Sequence, residues 1–273
     1  MKQFKGKAIY NPRGKANEYS YWACNFYTGC SNDCDYCYCK KGFLSRVWSN
    51  EPKLKSCFRD EMHAAEVFEK ELKQNISELQ YHGLFFSFTT DPMLFGSTWE
   101  STLYNIQKCY SLGIPVKILT KMAEWVLDDA IFEPRLFNKS LTAFGFTLTG
   151  HDELEPNASS NAERILAIRK LHEAGYKTFA SIEPIIDFPS AKEVIGQSMP
   201  FCDLYKIGLL SGGKYDRVEA LNFVEWLSEE SGTSMSGRVY IKESLRKLIG
   251  DEMSNYWGLF VDRDYNIFST EIE

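Results

Sequence analysis

At 273 residues, 44% hydrophobic and 25% charged, the chain has the size and composition of one large α/β domain with a full core, or of two small ones. Its net charge of −6 excludes a global basic field for nucleic acid, and no run approaches the ~18 apolar residues of a membrane span. Cys 8 in this length is no disulfide scaffold, and the amino terminus lacks the apolar core of an export signal, so reduced thiols and a cytoplasmic location are expected.

The first 22 residues are polar and interrupted by Gly and Pro, which predicts an extended arm. Between Asp60 and Tyr81, the residues Ala64, Val67, Phe68, Leu72 and Ile76 fall on one helical face. Short apolar runs then alternate with helical stretches. Strands are predicted at 84–90, 115–120, 142–149, 177–183, 203–210 and 238–241, and helices at 98–112, 123–131, 161–174, 190–198 and 216–228. Strands separated by helices of ten or more residues pair in parallel through helical crossovers. Five to seven such units fit a curved sheet or partial barrel with functional residues at the carboxyl ends of its strands. No repeat or convincing linker interrupts the pattern, so a single domain over 1–273 is expected.

Cys30, Cys34 and Cys37 form a C-x₃-C-x₂-C run in Asn25-Phe-Tyr-Thr-Gly-Cys-Ser-Asn-Asp-Cys-Asp-Tyr-Cys-Tyr38. Soft thiolates suit zinc or iron–sulfur clusters. A closed zinc site takes four ligands, usually as two spaced pairs. Cys39 offers a fourth thiol, but through the tight turn Cys37-Tyr38-Cys39, and no second C-x₂-C pair exists. A ferredoxin run would have different spacing and a Pro after its fourth Cys. Three thiolates can grip three irons of a cubane cluster and leave the fourth iron open.

The strand ends carry a second set of polar groups. Thr89-Thr90-Asp91-Pro92 closes the strand from Leu84, and its hydroxyls and carboxylate can accept from an ammonium group. Lys121 follows the strand ending at Thr120 and offers a cation for a carboxylate. Thr147 and Thr149 offer hydroxyls suited to a ribose, although both are also ordinary β-formers alternating with Phe144 and Phe146. Glu183 before Pro184 ends an apolar strand, where a carboxylate needs a partner.

The loop Asn25-x-Tyr27-x-Gly29-Cys30, followed by Cys34-x-Tyr36-Cys37-Tyr38, resembles the cluster loop of the radical S-adenosylmethionine (SAM) superfamily, and more narrowly the branch of spore photoproduct lyase and its relatives. The resemblance implies a partial (β/α)₆ TIM barrel over about 22–210 with a family-specific carboxyl-terminal extension over about 211–273. It implies a 4Fe–4S cluster on Cys30, Cys34 and Cys37, with Tyr36 in the same loop as a cofactor contact. S-adenosyl-L-methionine is the implied cofactor, cleaved reductively to a 5′-deoxyadenosyl radical. Thr89-Thr90-Asp91-Pro92 is similar to the Thr-Ser-Asp-Pro segment of the lyase-like branch, which places Thr90 and Asp91 at the SAM amino group. Lys121 is placed like a family lysine near the SAM carboxylate. Ser181-Ile-Glu-Pro184 with Ile241-Lys242 is similar to another set of radical SAM-like proteins, which puts Glu183 and Lys242 in the pocket as a pair; an ordinary buried ion pair is the alternative.

The implied electron donor is a reductant such as flavodoxin or ferredoxin, and the substrate class stays open, a nucleic-acid component among the choices. Where the lyase relays a hydrogen through a Cys before its Thr-Ser-Asp-Pro segment, this chain has Phe88, which argues against dimer repair by that route. Cys39 and Cys57 are the cysteines that follow the loop next in sequence, and Cys39 is the candidate hydrogen donor. A DNA-lesion lyase, and a non-catalytic protein whose amino-terminal loop is held by zinc or a cluster, are the competing readings.

Overall fold

A computed structural model describes residues 2–256 and 258–269. The described chain divides into two compact units, Met1–Ala143 with Glu153–Ser159, and Phe144–Asp152 with Ser160–Glu273. Both are mixed α/β, and their ladders are mainly parallel.

In the first unit, β1 (Ile9–Tyr10) pairs antiparallel with β2 (Ala23–Cys24), so the expected extended arm carries a strand. A two-stranded ribbon, β3 (Tyr27–Thr28) and β4 (Lys53–Leu54), brackets the cysteine loop. The helix predicted over 60–81 forms as two, α1 (Glu61–Gln74) and α2 (Ile76–His82). Asp60 caps α1 by accepting from the His63 amide at 2.7 Å, and the face bearing Ala64, Phe68 and Leu72 is buried. The break falls at Asn75, whose amide donates back to the Glu71 carbonyl at 2.8 Å; a short polar side chain here competes with the helical ladder.

The strand β5 (Leu84–Phe86) stops four residues before the predicted end at Thr90. Beyond it, the Phe88 amide donates to Asn25 Oδ1 at 2.8 Å and Ser87 Oγ to the Thr90 carbonyl at 2.7 Å, so side chains replace the ladder. Next come α3 (Ser97–Ser111), β6 (Val116–Thr120) and α4 (Glu124–Leu127). The last is shorter than the predicted 123–131, because Asp128 Oδ1 turns the chain by accepting from the Ala130 amide at 2.8 Å. Pairing runs β2–β5–β6, all parallel.

The second unit begins within β7 (Thr142–Thr147) and continues through α5 (Asn161–Glu173), β8 (Lys177–Ile185), α6 (Phe188–Ser198), β9 (Leu204–Leu209), α7 (Arg217–Thr233), β10 (Arg238–Ile241) and α8 (Glu243–Ile249). Ser160 and Glu163 close a reciprocal capping box on α5, and Asp187 and Asp216 cap α6 and α7. Strand order is β7–β8–β9–β10, with β8–β9 and β9–β10 parallel. The final strand lies within the residues expected to be an extension, and it completes the ladder. No helix among the described residues is long and apolar enough to cross a membrane.

Candidate active site

The cysteine loop is set by its two glycine-like corners and by the β3–β4 ribbon. Gly29 has φ 89°, and a Cβ there would meet Ser49 Oγ at 2.6 Å, so the position tolerates only glycine. The Cys30 amide then donates to the Ser49 carbonyl at 3.0 Å. Asp33 takes φ 52°, and Lys40 holds that corner through Asp33 Oδ1 at 2.6 Å while its ammonium lies 5.1 Å from the Trp48 ring. A tight turn follows, with the Cys37 amide on the Cys34 carbonyl at 3.1 Å.

Cys34 and Cys39 are buried; Cys30 and Cys37 are partly exposed. Burial pushes the Cys30 thiol up to about 12, with the nearby Asp91 charge adding to the effect. The Cys37 and Cys39 thiols are hydrogen-bonded to one another, which lowers Cys37 and raises Cys39. Cys39 also donates to the Phe88 carbonyl at 3.6 Å, and the Tyr38 hydroxyl donates to the same oxygen. Among the described residues, no three His, Cys, Asp or Glu side chains converge as a metal-holding group.

Asp91 is the hub of the first unit's polar site. Its carboxylate is buried and accepts from Asn32 Nδ2 at 2.9 Å, Thr120 Oγ1 at 2.6 Å, the Lys121 amide at 2.8 Å and the Met93 amide at 3.0 Å. Four donors fill the acceptor capacity of one carboxylate. The polar atoms left over are beside it: Thr90 Oγ1 and Asn32 Oδ1 are buried without a hydrogen-bond partner. A buried acceptor left unmade costs about 1–3 kcal/mol, so two at one place mark where a donor group fits.

Lys121 leaves the end of β6 with its ammonium 5.4 Å from the Tyr36 ring centre and 3.9 Å from Glu155 Oε1, and the Tyr36 hydroxyl donates to Glu155. The first unit therefore brings together Cys30, Tyr36, Asp91 and Lys121 of the predicted set. Asn32 and Glu155 were missed. Asn32 lies between two cysteines with no motif of its own to mark it, and Glu155 sits in a charged loop that carries no motif.

In the second unit, Lys242 is fully buried and its ammonium is hydrogen-bonded to Glu183. Gly208 lies between them on β9. A Cβ there would stand 2.9 Å from Glu183 Oε1 and 3.1 Å from Lys242 Cδ, so the glycine makes room for the pair. Two residues earlier on each strand, Ser181, Lys206 and Tyr240 are aligned across β8, β9 and β10, with the Lys206 ammonium 5.1 Å from the Tyr240 ring. Thr147 and Thr149 are buried, and the Thr149 amide is held by Asn161 Oδ1 at 2.9 Å. The Thr149 hydroxyl accepts from the His151 amide at 3.2 Å, and the Thr147 carbonyl from Arg164 at 2.9 Å.

The donor set suits the groups it was expected to hold. Three thiols on one short loop have the softness that iron–sulfur clusters need. The two orphaned acceptors beside an anionic hub suit an ammonium group.

No protein-family model matches the chain. The uncharacterized protein MJ0683 of Methanocaldococcus jannaschii is 30% identical over 195 residues, covering 68% of this chain and 69% of that protein. Among solved structures, the chain is similar to Streptococcus suis SuiB, with TM-score 0.56 and 12% identity over 81% of this chain and 49% of that one. SuiB bound to S-adenosylmethionine gives TM-score 0.54 and 11% identity, over 85% of this chain and 55% of that one. SuiB bound to the precursor peptide SuiA gives TM-score 0.54 and 12% identity, over 82% and 51% respectively. The chain thus spans about half the length of SuiB and shares its fold.

Proposed function

The chain belongs to the family of the Methanocaldococcus jannaschii protein MJ0683, and we propose that it is a radical SAM enzyme whose cofactor site is the Asp91 hub beside the cysteine loop. The observation that carries this reading is the pair of buried, unpartnered acceptors, Thr90 Oγ1 on the residue before Asp91 and Oδ1 of Asn32, which donates from that loop to the Asp91 carboxylate. The likeness to the fold of SuiB, which has been solved with S-adenosylmethionine, supports it. So do the parallel ladders, which suit a partial (β/α)₆ barrel.

Cys30, Cys34 and Cys37 would hold a 4Fe–4S cluster, which when bound supplies the electron for reductive cleavage of SAM. Thr90 and Asn32 accept from the SAM ammonium, and Asp91 provides the nearby negative charge while fixing Asn32 in place. Lys121 pairs with the SAM carboxylate, and Tyr36 walls the loop against water. Thr147 and Thr149 are the proposed ribose contacts. A reductant such as flavodoxin or ferredoxin delivers the electron.

On the substrate side, the Glu183–Lys242 pair offers a proton-exchanging couple, and Cys39, held on the Phe88 carbonyl, is the proposed hydrogen donor. That contact bears on the lyase-like branch. Phe88 replaces the relay cysteine in sequence, but Cys39 brings a thiol to the Phe88 backbone. The reaction proposed is modification of a substrate such as a nucleic-acid component, ahead of dimer cleavage. Anaerobically reconstituted protein should turn over SAM to 5′-deoxyadenosine and methionine under dithionite; fully loaded protein that leaves SAM intact would sink the proposal.

One observation favours a second reading. The free Cys39 thiol lies within hydrogen-bonding reach of that of Cys37, so a fourth ligand for a closed zinc site is at hand. One zinc per chain, with no binding of SAM, would establish a metal-stabilised binding protein instead.

A further inference from the structure

Residues 153–159, in the connection from β7 to α5, belong to the first unit and stitch two parts of it together. The Leu154 carbonyl accepts from the Asp35 amide at 3.0 Å, and Asn157 Nδ2 donates to the Ser31 carbonyl at 2.9 Å. Both of those bonds land on the cysteine loop. The Ser159 amide donates to the Lys121 carbonyl at 3.1 Å, and Ser159 Oγ accepts from the Ala123 amide at 2.7 Å. Those two land just past the end of β6. Glu155 in this segment has a fully buried side chain, and its Oε1 both accepts from the Tyr36 hydroxyl and faces the Lys121 ammonium at 3.9 Å.

A buried carboxylate is costly unless it is paired, and here Oε1 meets one residue from each anchored segment. We propose that 153–159 is a strap that fixes the cysteine loop against the end of β6, and that Glu155 is a positioning residue holding Tyr36 and the Lys121 ammonium in place. The consequence for SAM rests on the enzyme reading above; the consequence for the loop does not. With the strap closed, Lys121 is presented in one orientation. Without Glu155, the ammonium keeps its charge but loses its bearing, so SAM binds more weakly while the cysteines still load iron.

The test compares wild type, Glu155→Gln and Asn157→Ala, because the second loosens the strap without touching Glu155. In metal-free protein, amide hydrogen exchange at Asp35 should be faster in both variants, with α1 unchanged. In reconstituted protein, Glu155→Gln should keep its iron and raise the KM for SAM about tenfold, with a much smaller change in kcat. Asn157→Ala should shift KM the same way by about threefold. Wild-type exchange at Asp35 together with wild-type KM in Glu155→Gln would overturn the inference; if that variant does not fold, Asn157→Ala decides by the same readouts. Wild-type protein that never binds SAM would overturn the enzyme reading, and the exchange measurement would still judge the strap.

Discussion

Asp91 receives hydrogen bonds from three segments, the cysteine loop, its own turn and the end of β6. Replacing it with alanine would strip partners from Asn32, Thr120 and two backbone amides at once. We expect Asp91→Ala to cost about 3 kcal/mol or more in urea unfolding, well beyond a single lost hydrogen bond. An unchanged midpoint would contradict its role as hub. Lys117, on β6, gives a prediction with pH as its variable. Burial pushes Lys117 down to about 8, whereas the unfolded chain holds that proton until about 10.4. Between those values the unfolded chain binds more protons, so stability rises with pH across the window. Urea midpoints of wild type measured from pH 7.5 to 9.5 should climb relative to Lys117→Met, and parallel profiles would refute the assignment. At this scale the sequence singles out Asp91 and Lys121 because both follow strands in an alternating pattern, and the structure ties both to the cysteine loop, through Asn32 and beside Tyr36. It did not show that Asp91 is saturated by protein donors. Nor did it single out Asn32 or Glu155, whose importance comes from contacts made across 59 residues to Asp91 and 119 residues to Tyr36.

Among the elements, the amino-terminal arm owes its place to one side chain. Glu71, buried on α1, accepts from the amides of Lys7 at 2.7 Å, Ala8 at 3.0 Å and Ile9 at 2.7 Å, which secures β1. Glu71→Ala should lower stability by about 1–3 kcal/mol and speed exchange of those amides before any other region. Equal protection in the variant would mean that β1 is held by its pairing alone. In the second unit, the Glu183–Lys242 pair bridges β8 and β10 over Gly208. Lys242→Met alone leaves a carboxylate without its ammonium, and Glu183→Gln alone leaves a buried ammonium; each should cost about 3–5 kcal/mol. The double variant should cost less than their sum, with a coupling of about 1 kcal/mol or more in a double-mutant cycle. Additive losses would reduce the pair to two independent contacts. Most element types were readable from period and punctuation, but three boundaries moved for local reasons. Asn75 split a helix, the Ser87 and Asn25 side chains shortened β5, and Asp128 cut α4 to one turn. The helix α8 was overlooked because Glu-Ser-Leu-Arg-Lys-Leu-Ile is short and carries only a narrow apolar stripe.

For the molecule as a whole, the parallel ladders of both units follow from strands alternating with helices, a pattern that needs no family knowledge. The division into two compact units was not visible, because no change of composition marks residue 143 and the strap crosses back over it. The net charge of −6 gives no general pull on nucleic acid, so a nucleic-acid substrate would have to be gripped by local groups such as Lys40, Lys41 and Arg46. On the proposed function, three thiolates and not four hold the metal. Iron, sulfide and zinc should be counted per chain after anaerobic reconstitution of wild type and of the single alanine variants at Cys30, Cys34, Cys37 and Cys39. The account predicts about four irons and four sulfides in wild type and in Cys39→Ala, and loss of the cluster in each of the other three. One zinc in wild type, lost equally when Cys39 is replaced, would contradict it.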